Sequence, residues 1–386
     1  MKPKLSFIPP IGIVLALVLG AADSRADDDQ DDLRNAYTVN PLVSDLTGAP
    51  VQDPVLQNAW GVAFTPAGSP FWVADNATGC ATLYQGDGTK VALQVSIPLP
   101  GGAVPTTDCV HVNPNNPPTP TPAAPTGIIW NPTTNPATAF LVPGSNPPTP
   151  AIFIFATEDG TISAWAGGNH ATLAVDKSKI PTPASGAVYK GLAFGVNKNG
   201  DFIYAANFRA GTIDVFDHGY NPATTDGGFV DPNIPTGFAP FNIKSIDGDL
   251  FVTYAKQNAQ KHDDVAGRGN GFVDVFDTDG HLLRRFASRG PLNSPWGITR
   301  ASFAFGRFSG LVLIGNFGDG RINVFDSRGR FIDELDDPHG KPLVIDGLWT
   351  LTLGGGAKSS PDTLYFTAGP NGETDGLFGT ITPNSP

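Results

Sequence analysis

One short pattern recurs six times along the chain, and this repetition constrains the fold more than any other feature. Residues 316–326, "NFGDGRINVFD", and residues 207–217, "NFRAGTIDVFD", agree at seven of eleven positions. Weaker copies occupy 78–88, 158–168, 270–280 and 375–383. Each copy combines a Gly-containing turn with an apolar stretch, a combination typical of a β-hairpin. The chain is therefore predicted to repeat one antiparallel unit six times.

Each hairpin belongs to a larger unit of four strands. A nearly continuous apolar run precedes it, as expected for a strand covered on both faces, and a further strand-like element lies upstream. Four of these upstream elements carry a glycine at a shared position, which indicates close approach by another backbone. These glycines are Gly61, Gly127, Gly191 and Gly297. Most copies are separated by roughly the length of a propeller blade, about 40 to 50 residues.

The sequence therefore predicts an all-β fold, a six-bladed β-propeller with four-stranded blades. The sixth copy runs to the end of the sequence and leaves no room for a fourth strand. The strand-like segment 36–43, "AYTVNPLV", is predicted to supply that strand and close the ring. A closed ring leaves few exposed strand edges, which explains why the unit recurs.

The domain organisation follows from the flanking segments. Residues 1–26 combine Lys2 and Lys4, an apolar stretch and the small-residue site "SRA", which predicts a signal peptide; an uncleaved anchor helix is the alternative. Residues 27–35 are predicted to form an acidic disordered N-terminus and residues 36–386 a single propeller. The segment 113–150 has twelve prolines in 38 residues and is interpreted as surface arms around the inner strand of blade 2.

Composition excludes some partners and indicates a compartment. With 46 Gly, 37 Pro and only 16% charged residues, the chain is rich in turns rather than disordered. The net charge of −12 argues against nucleic acid and anionic membranes as partners. We expect a secreted or periplasmic protein with no membrane anchor after signal cleavage. Cys80 and Cys109 would then form a disulfide, although two separate thiols remain the alternative because spacing alone does not bring them together.

The rhythm of apolar strand, Asn/Asp turn and "G-x-I-x-V-F-D" resembles NHL-repeat and gluconolactonase-like six-bladed propellers. Longer stretches resemble an uncharacterised family of exported bacterial propellers, namely 239–257, 263–280, 293–299, 308–326 and 364–381. Some members of that family end in a PEP-CTERM sorting tail, whereas this sequence stops at "ITPNSP". Because this sequence lacks the sorting tail, we expect a soluble periplasmic or secreted protein rather than one sorted to the cell envelope. Likeness to gluconolactonase-like propellers also implies a metal at the axial mouth that polarises a lactone carbonyl.

On one face of the predicted disc, the turns gather many oxygen-bearing side chains. Weak metal-ligand candidates near the axis, beside Lys190, are Asn58, Asn242, Asn293 and Asp346. Ligand-binding candidates in a surrounding ring and in the blade 4 loop are Asp75, Asn76, Glu158, Asp159, Asn207, Arg209, Asp263, Asp264, Asn316 and Asp319. Carboxylate and amide oxygens suit Ca²⁺ or another divalent cation. Asn and Asp also favour turns for conformational reasons, so plain turn chemistry is the alternative.

The hairpin connection of blade 4, residues 256–271, is unusually long and holds the densest charge on the chain. It is interpreted as a lid over this face, with a solvated loop as the alternative. His262 and Lys256 within it are weak candidates for proton transfer. Four tryptophans of the inner-strand elements would either stack on a flat ligand or pack between blades, namely Trp60, Trp130, Trp296 and Trp349.

Two functions fit these features. The first is a non-catalytic propeller that binds a small molecule, a metal or a protein partner on its Asn/Asp-rich face. The second is a metal-dependent hydrolase, lactonase or lyase with its site at the axial channel mouth. The sequence contains no G-x-S-x-G, H-E-x-x-H, C-x-x-C or Walker motif, so catalysis by those routes is not expected.

Overall fold

The computed structural model describes residues 34–104, 109–182 and 184–384. The predicted signal peptide, residues 1–26, and all but the last two residues of the predicted disordered segment 27–35 lie outside these ranges. Within them, six sheets of four or five strands follow one another along the chain, and all strand pairs are antiparallel except one two-residue parallel pair in the five-stranded sheet. The prediction of an all-β, six-bladed propeller is confirmed.

The strands are numbered β1 to β25 in chain order, and each blade runs from an inner to an outer strand. Blade 1 contains β3 (Ala59–Ala63), β4 (Phe71–Asp75), β5 (Cys80–Tyr84) and β6 (Lys90–Ser96). Blade 2 contains β7 (Pro125–Trp130), β8 (Phe153–Thr157), β9 (Thr161–Trp165) and β10 (Thr172–Asp176). Blade 3 contains β11 (Tyr189–Asn197), β12 (Gly200–Asn207), β13 (Thr212–Asp217) and β14 (Pro222–Ala223).

The second half of the ring repeats this plan. Blade 4 contains β15 (Phe238–Ile246), β16 (Asp249–Lys256), β17 (Gly271–Phe276) and β18 (Leu282–Ser288). Blade 5 contains β19 (Pro295–Arg300), β20 (Val312–Asn316), β21 (Ile322–Phe325) and β22 (Phe331–Glu334). Blade 6 contains β23 (Leu348–Leu353), β24 (Leu364–Ala368) and β25 (Leu377–Pro383), and then β1 (Tyr37–Ser44) and β2 (Val51–Gln52) from the N-terminal side.

The ring is closed by the N-terminal strand, as predicted. Strand β1 pairs antiparallel with β25, with Val39 opposite Ile381 and Tyr37 opposite Pro383. The Tyr37 ring is buried against Phe305, which belongs to the neighbouring blade. Blade 6 therefore depends on residues from both ends of the described chain.

The glycines of the inner strands lie where neighbouring blades meet most closely. A Cβ on Gly127 would come within 2.5 Å of the backbone nitrogen of Leu192 in the next blade. A Cβ on Gly61 or Gly297 would likewise collide with the backbone of the following blade, and one on Gly191 with the Asn242 side chain. The predicted close approach is present at all four positions, and it keeps the axial channel narrow.

The Pro-rich segment contains inner strand β7 and packs partly onto the blades. Outside β7 most of its described residues are exposed, but Ala139 and Phe140 are buried in the core between blades 2 and 3. Cys109, just before this segment, is bonded to Cys80 of β5, with 5.3 Å between the two Cα atoms. The described residues thus contain the predicted disulfide, which fixes the start of the Pro-rich segment to blade 1. None of the helices formed by the described residues is long and apolar enough to cross a membrane.

Candidate functional site

An aromatic cluster blocks the central axis near one end of the inner strands. Trp60, Trp296 and Trp349 are nearly inaccessible and pack with Phe208 and Phe241. The Trp60 and Trp349 ring centroids are 3.7 Å apart, and the Trp296 ring meets both at a steep angle. Three of the four inner-strand tryptophans are thus packed together; the fourth, Trp130, lies against the core between blades 1 and 2. This aromatic plug is the floor of the candidate site.

Lys190, the second residue of β11, stands on this floor with its ammonium group out of solvent. Its side chain is 3% exposed, and its Nζ lies 5.1 Å from the centre of the Trp60 ring. The Nζ contacts the Glu158 carboxylate and lies 3.6 Å from Oδ1 of Asp263. Burial alone would lower the pKa of Lys190, but the adjacent Glu158 carboxylate outweighs it, so the pKa is raised. Lys190 is therefore a buried cation that carboxylates hold in its charged form.

Glu158 is fixed from two sides. The turn between β8 and β9 places it at the mouth, where Oε1 contacts Lys190 and Oε2 accepts a hydrogen bond of 2.9 Å from Nδ2 of Asn76. Asn76 occupies the corresponding turn of blade 1 and accepts a hydrogen bond of 3.1 Å from Asn58. Equivalent turns of neighbouring blades thus meet at the axis because the repeat brings them to the same face.

Asn58 joins this network to the aromatic floor and to a second glutamate. Its Oδ1 accepts the indole N–H groups of Trp60 and Trp349, at 2.8 and 2.9 Å. Its Nδ2 donates to Oε2 of Glu373 at 2.8 Å. Burial, followed by repulsion from Glu158, raises the pKa of Glu373 to about 7. Glu373 therefore changes its charge close to neutral pH.

The long connection between β16 and β17, residues 257–270, crosses this mouth. Inside the loop, His262 Nδ1 lies 2.6 Å from Oδ1 of Asp263. This hydrogen bond is the main reason why the pKa of Asp263 falls to about 2. The loop is held down where the backbone N–H of Gly267 donates to Oδ1 of Asn293 at 2.6 Å. The loop thus places the ionised Asp263 carboxylate next to the buried Lys190 ammonium.

Two further acidic groups lie close to the cluster and are only partly solvated. Burial raises the pKa of Asp159, and the charge of Glu158 raises it further. Burial also raises the pKa of Asp264, although the charge of Lys190 opposes it. Five carboxyl groups therefore converge around Lys190 and His262, with more negative than positive charge once they ionise. We call these seven residues the acidic mouth: Glu158, Asp159, Lys190, His262, Asp263, Asp264 and Glu373.

The acidic mouth contains only part of the predicted ligand-binding set. Asn76, Glu158, Asp159, Asp263 and Asp264 belong to it or border it. Asp75 does not, because its carboxyl is fully buried in blade 1, where desolvation raises its pKa well above the usual value. The remaining members of the set are engaged in the turns of blades 3 and 5, namely Asn207, Arg209, Asn316 and Asp319.

The axial metal candidates use their polar atoms for other contacts. Asn242 donates to the Trp296 carbonyl at 2.8 Å, and its Oδ1 accepts the Ile243 N–H. Asn293 donates to Asp319 at 3.1 Å while its oxygen accepts from the blade 4 loop. Asp346 accepts the N–H of Asn371 at 2.8 Å. The oxygen of Asn58 is likewise bound to two indoles, so each of the four side chains is engaged in its own set of hydrogen bonds.

Of the two proton-transfer candidates, only His262 lies at the mouth. Lys256 is an exposed residue at the end of β16, opposite Phe238 in the strand register. Glu373 was not among the predicted site residues. It ends the helical turn Pro370–Glu373 between β24 and β25, which is the turn equivalent to that of Glu158 between β8 and β9. Glu158 comes directly after its strand, whereas Glu373 comes five residues after β24, so comparing turns of the repeat identifies the segment but not the residue.

A divalent cation is the cofactor to test against this geometry. Ligand atoms of Glu158, His262 and Asp263 lie within 4.8 Å of one another. One nitrogen and two carboxylates suit several divalent ions. The Lys190 ammonium, however, already contacts both carboxylates. The donor set therefore fits a metal on the solvent side of these carboxylates, or after Lys190 has moved aside.

Taken together, the fold and this mouth define a six-bladed propeller with an acidic, aromatic-floored axial site. The chain is 32% identical over 351 residues to uncharacterized protein R648 of Acanthamoeba polyphaga mimivirus, across 89% of this chain and 80% of that protein. It is 31% identical over 354 residues to uncharacterized protein L690 of the same virus, across 89% of this chain and 85% of that protein. The chain belongs to the family of these uncharacterised proteins. No family model matches it.

Solved structures with this fold share little sequence with the chain. Virginiamycin B lyase from Staphylococcus aureus is 11% identical, with a TM-score of 0.47 over 90% of this chain and 99% of that chain. A gluconolactonase from Xanthomonas campestris is 14% identical, with a TM-score of 0.45 over 85% and 87%. The relatives named above are viral, so the expected membership of an exported bacterial family is not supported.

Proposed function

We propose that this protein is a ligand-binding propeller whose site is the acidic mouth, and that the ligand is a small cation. The observation that carries this proposal is the convergence of five carboxyl groups around Lys190 and His262, two of which, Glu158 and Asp263, lie against the Lys190 ammonium. A divalent metal ion is the first ligand to test, and a small organic amine is the second. Binding without catalysis is the activity that these contacts support best.

The charge balance of the mouth supports a cationic ligand. Asp263 is ionised at all ordinary pH values because its pKa is near 2, and it faces Lys190 together with Glu158. Glu373, Asp159 and Asp264 have raised pKa values, since the loss of hydration on burial outweighs the effect of the nearby positive charges. A bound cation would stabilise the ionised form of all three carboxyls. The single positive charge of Lys190 compensates only part of the negative charge of these carboxyls.

The test is titration calorimetry of the purified protein with CaCl₂, MnCl₂, ZnCl₂ and putrescine. We expect Glu158→Gln to weaken the binding of the preferred cation by about tenfold or more. The matched control is Asp226→Asn, which removes an exposed carboxylate paired with Lys198 at 3.0 Å, remote from the mouth. Binding should also strengthen between pH 6 and 8 as Glu373 ionises. Absence of binding by all four cations, or equal binding by Glu158→Gln, would contradict the proposal.

A hydrolase or lyase is the second candidate function, and one observation favours it. Glu373, with a pKa of about 7, is connected to the Glu158–Lys190 pair by hydrogen bonds through Asn58 and Asn76. A carboxyl that exchanges a proton near neutral pH is suited to general acid–base catalysis. Lactones and esters should be screened with and without the preferred cation. In this case Glu373→Gln would abolish turnover and leave substrate binding in place.

We also propose that the protein is exported and acts in a periplasmic or extracellular compartment. The predicted signal peptide and the Cys80–Cys109 disulfide support this, because such bonds persist in oxidising compartments. Expression of the full sequence followed by N-terminal sequencing of the mature protein tests it. A mature chain that begins near Asp27 is expected, whereas an intact Met1 on a cytosolic protein would refute export.

A further inference from the structure

The opposite end of the axis holds a different kind of cavity. Beyond the aromatic plug, the C-terminal halves of the inner strands surround a cavity of about 330 Å³ that opens to the surface. Its walls are mainly apolar and aromatic and come mostly from blades 1, 2 and 3, with Phe64, Trp130 and Phe194 among them, and residues of blades 4 and 6 complete them. We call it the apolar mouth. Small-molecule sites in proteins are commonly concave, mostly apolar and of this size.

One ionisable side chain lines the described walls of the apolar mouth, that of Lys244 on β15. The same residue also lines the narrow part of the channel beside Gly61, Gly127 and Gly297. Lys190, by contrast, is paired with the Glu158 and Asp263 carboxylates. Burial is the cause that lowers the pKa of Lys244, and among the residues that the structure describes no carboxylate acts against it. Arg300, on the neighbouring blade, is already bound to Asp247 at 2.8 Å.

We propose that the apolar mouth is a second ligand site, which binds a small apolar monocarboxylate with its head group on Lys244. A buried or half-buried ammonium without a counter-ion is unfavourable, and a carboxylate ligand would supply one. One ammonium matches one negative charge, whereas phosphate groups are usually held by several donors or an arginine fork. The apolar walls would cover a hydrocarbon or aromatic body behind the head group.

The size of the cavity limits the ligand. A cavity of about 330 Å³ lies at the lower end of the range for small-molecule sites in proteins, about 300 to 1,000 Å³. An eight-carbon fatty acid or a phenylpropanoate belongs to this small size class. Long-chain lipids would project into solvent, and small hydrophilic acids such as acetate would leave the walls uncovered. Octanoate and 3-phenylpropanoate are therefore the probes that fit both the charge and the volume.

The experiment is calorimetric titration of the full protein with octanoate, with octylamine as the opposite-charge control. We expect octanoate to bind and octylamine not to bind at this site. Lys244→Met should weaken octanoate binding by at least about tenfold, since charged hydrogen bonds are worth that much or more. Lys244→Arg should retain most of the affinity. Lys198→Met, which removes an exposed lysine paired with Asp226, serves as the matched control.

A chemical readout locates the site independently of affinity. Acylation of amines by an N-hydroxysuccinimide ester, followed by peptide mass spectrometry, should label Lys244, and octanoate should protect it. Failure of octanoate and phenylpropanoate to bind would overturn the proposal. So would unchanged affinity in Lys244→Met, or binding that is lost in Glu158→Gln, because the latter would place the ligand at the acidic mouth. Circular dichroism of Lys244→Met checks that the variant is folded.

Discussion

Replacement of Glu373 by glutamine should stabilise the protein, and the gain should depend on pH. The folded pKa of Glu373 is about 7, against 4.5 for the unconstrained group. Because the folded pKa is raised, the neutral carboxyl favours the fold, and that stability is lost as pH rises from about 4.5 through 7. Each pKa unit corresponds to about 1.4 kcal/mol, so the full penalty above pH 7 is about 3 kcal/mol. Glutamine stays neutral and can still accept the Asn58 hydrogen bond, so it avoids this penalty.

Urea unfolding of both proteins from pH 4.5 to 8.5 measures the effect. The free energies of unfolding should coincide near pH 4.5, and the glutamine variant should gain about 2 to 3 kcal/mol by pH 8. Glu334→Gln is the matched control, because Glu334 is partly exposed and paired with Arg321 at 2.9 Å. It should lose at most about 1 kcal/mol, with the opposite sign. A pH-independent difference, or a less stable Glu373→Gln at pH 8, would refute the assigned environment of Glu373.

Three other perturbations have defined outcomes. Lys190→Met should lower the free energy of unfolding at pH 7 by about 3 kcal/mol, because it leaves the mostly buried Glu158 carboxylate unpaired. Adding Glu158→Gln should restore part of the loss, and urea unfolding of both variants checks this. Reduction of the Cys80–Cys109 disulfide, whose cysteines are 29 residues apart, should destabilise the fold by about 3 to 4 kcal/mol by loop entropy, measured as unfolding with and without reductant. A chain that begins after Ser44 should lose cooperative thermal unfolding, since β25 would become an open edge.

The blades were predictable because the sequence repeats and each repeat must satisfy the same packing requirement. A blade must bury both faces against its neighbours, so the central strands are continuously apolar and glycine recurs where backbones meet. The closing strand could be predicted because the last repeat lacked one strand and the segment 36–43 could supply it. Outer strands were less visible because they are short and half-exposed, as with Pro222–Ala223 in blade 3.

The site was predictable at the level of a face but not of individual side chains. The repeat places six turns together, which brought Glu158, Asn76 and Asp263 into consideration. The repeat does not show that the Asn316 and Asp319 side chains turn towards Asn293, because these side-chain orientations depend on local hydrogen bonds. Periodicity also gave no sign that Lys244 would line a cavity, since it occupies an ordinary strand position. Its importance depends on which side chains the other blades place around it.

The two axial lysines show how one symmetric scaffold can support two unlike sites. Both lie on inner strands, and burial disfavours the charged form of each. At Lys190 the turns of blades 2 and 6 and the blade 4 loop contribute carboxylates, and the net result is a raised pKa. At Lys244 the strand ends contribute apolar walls, and the pKa is lowered. The aromatic plug separates the two environments, so a ligand at one mouth does not need to compete with a ligand at the other. Variants at Glu158 and Lys244 should accordingly act independently, as expected for sites without shared contacts.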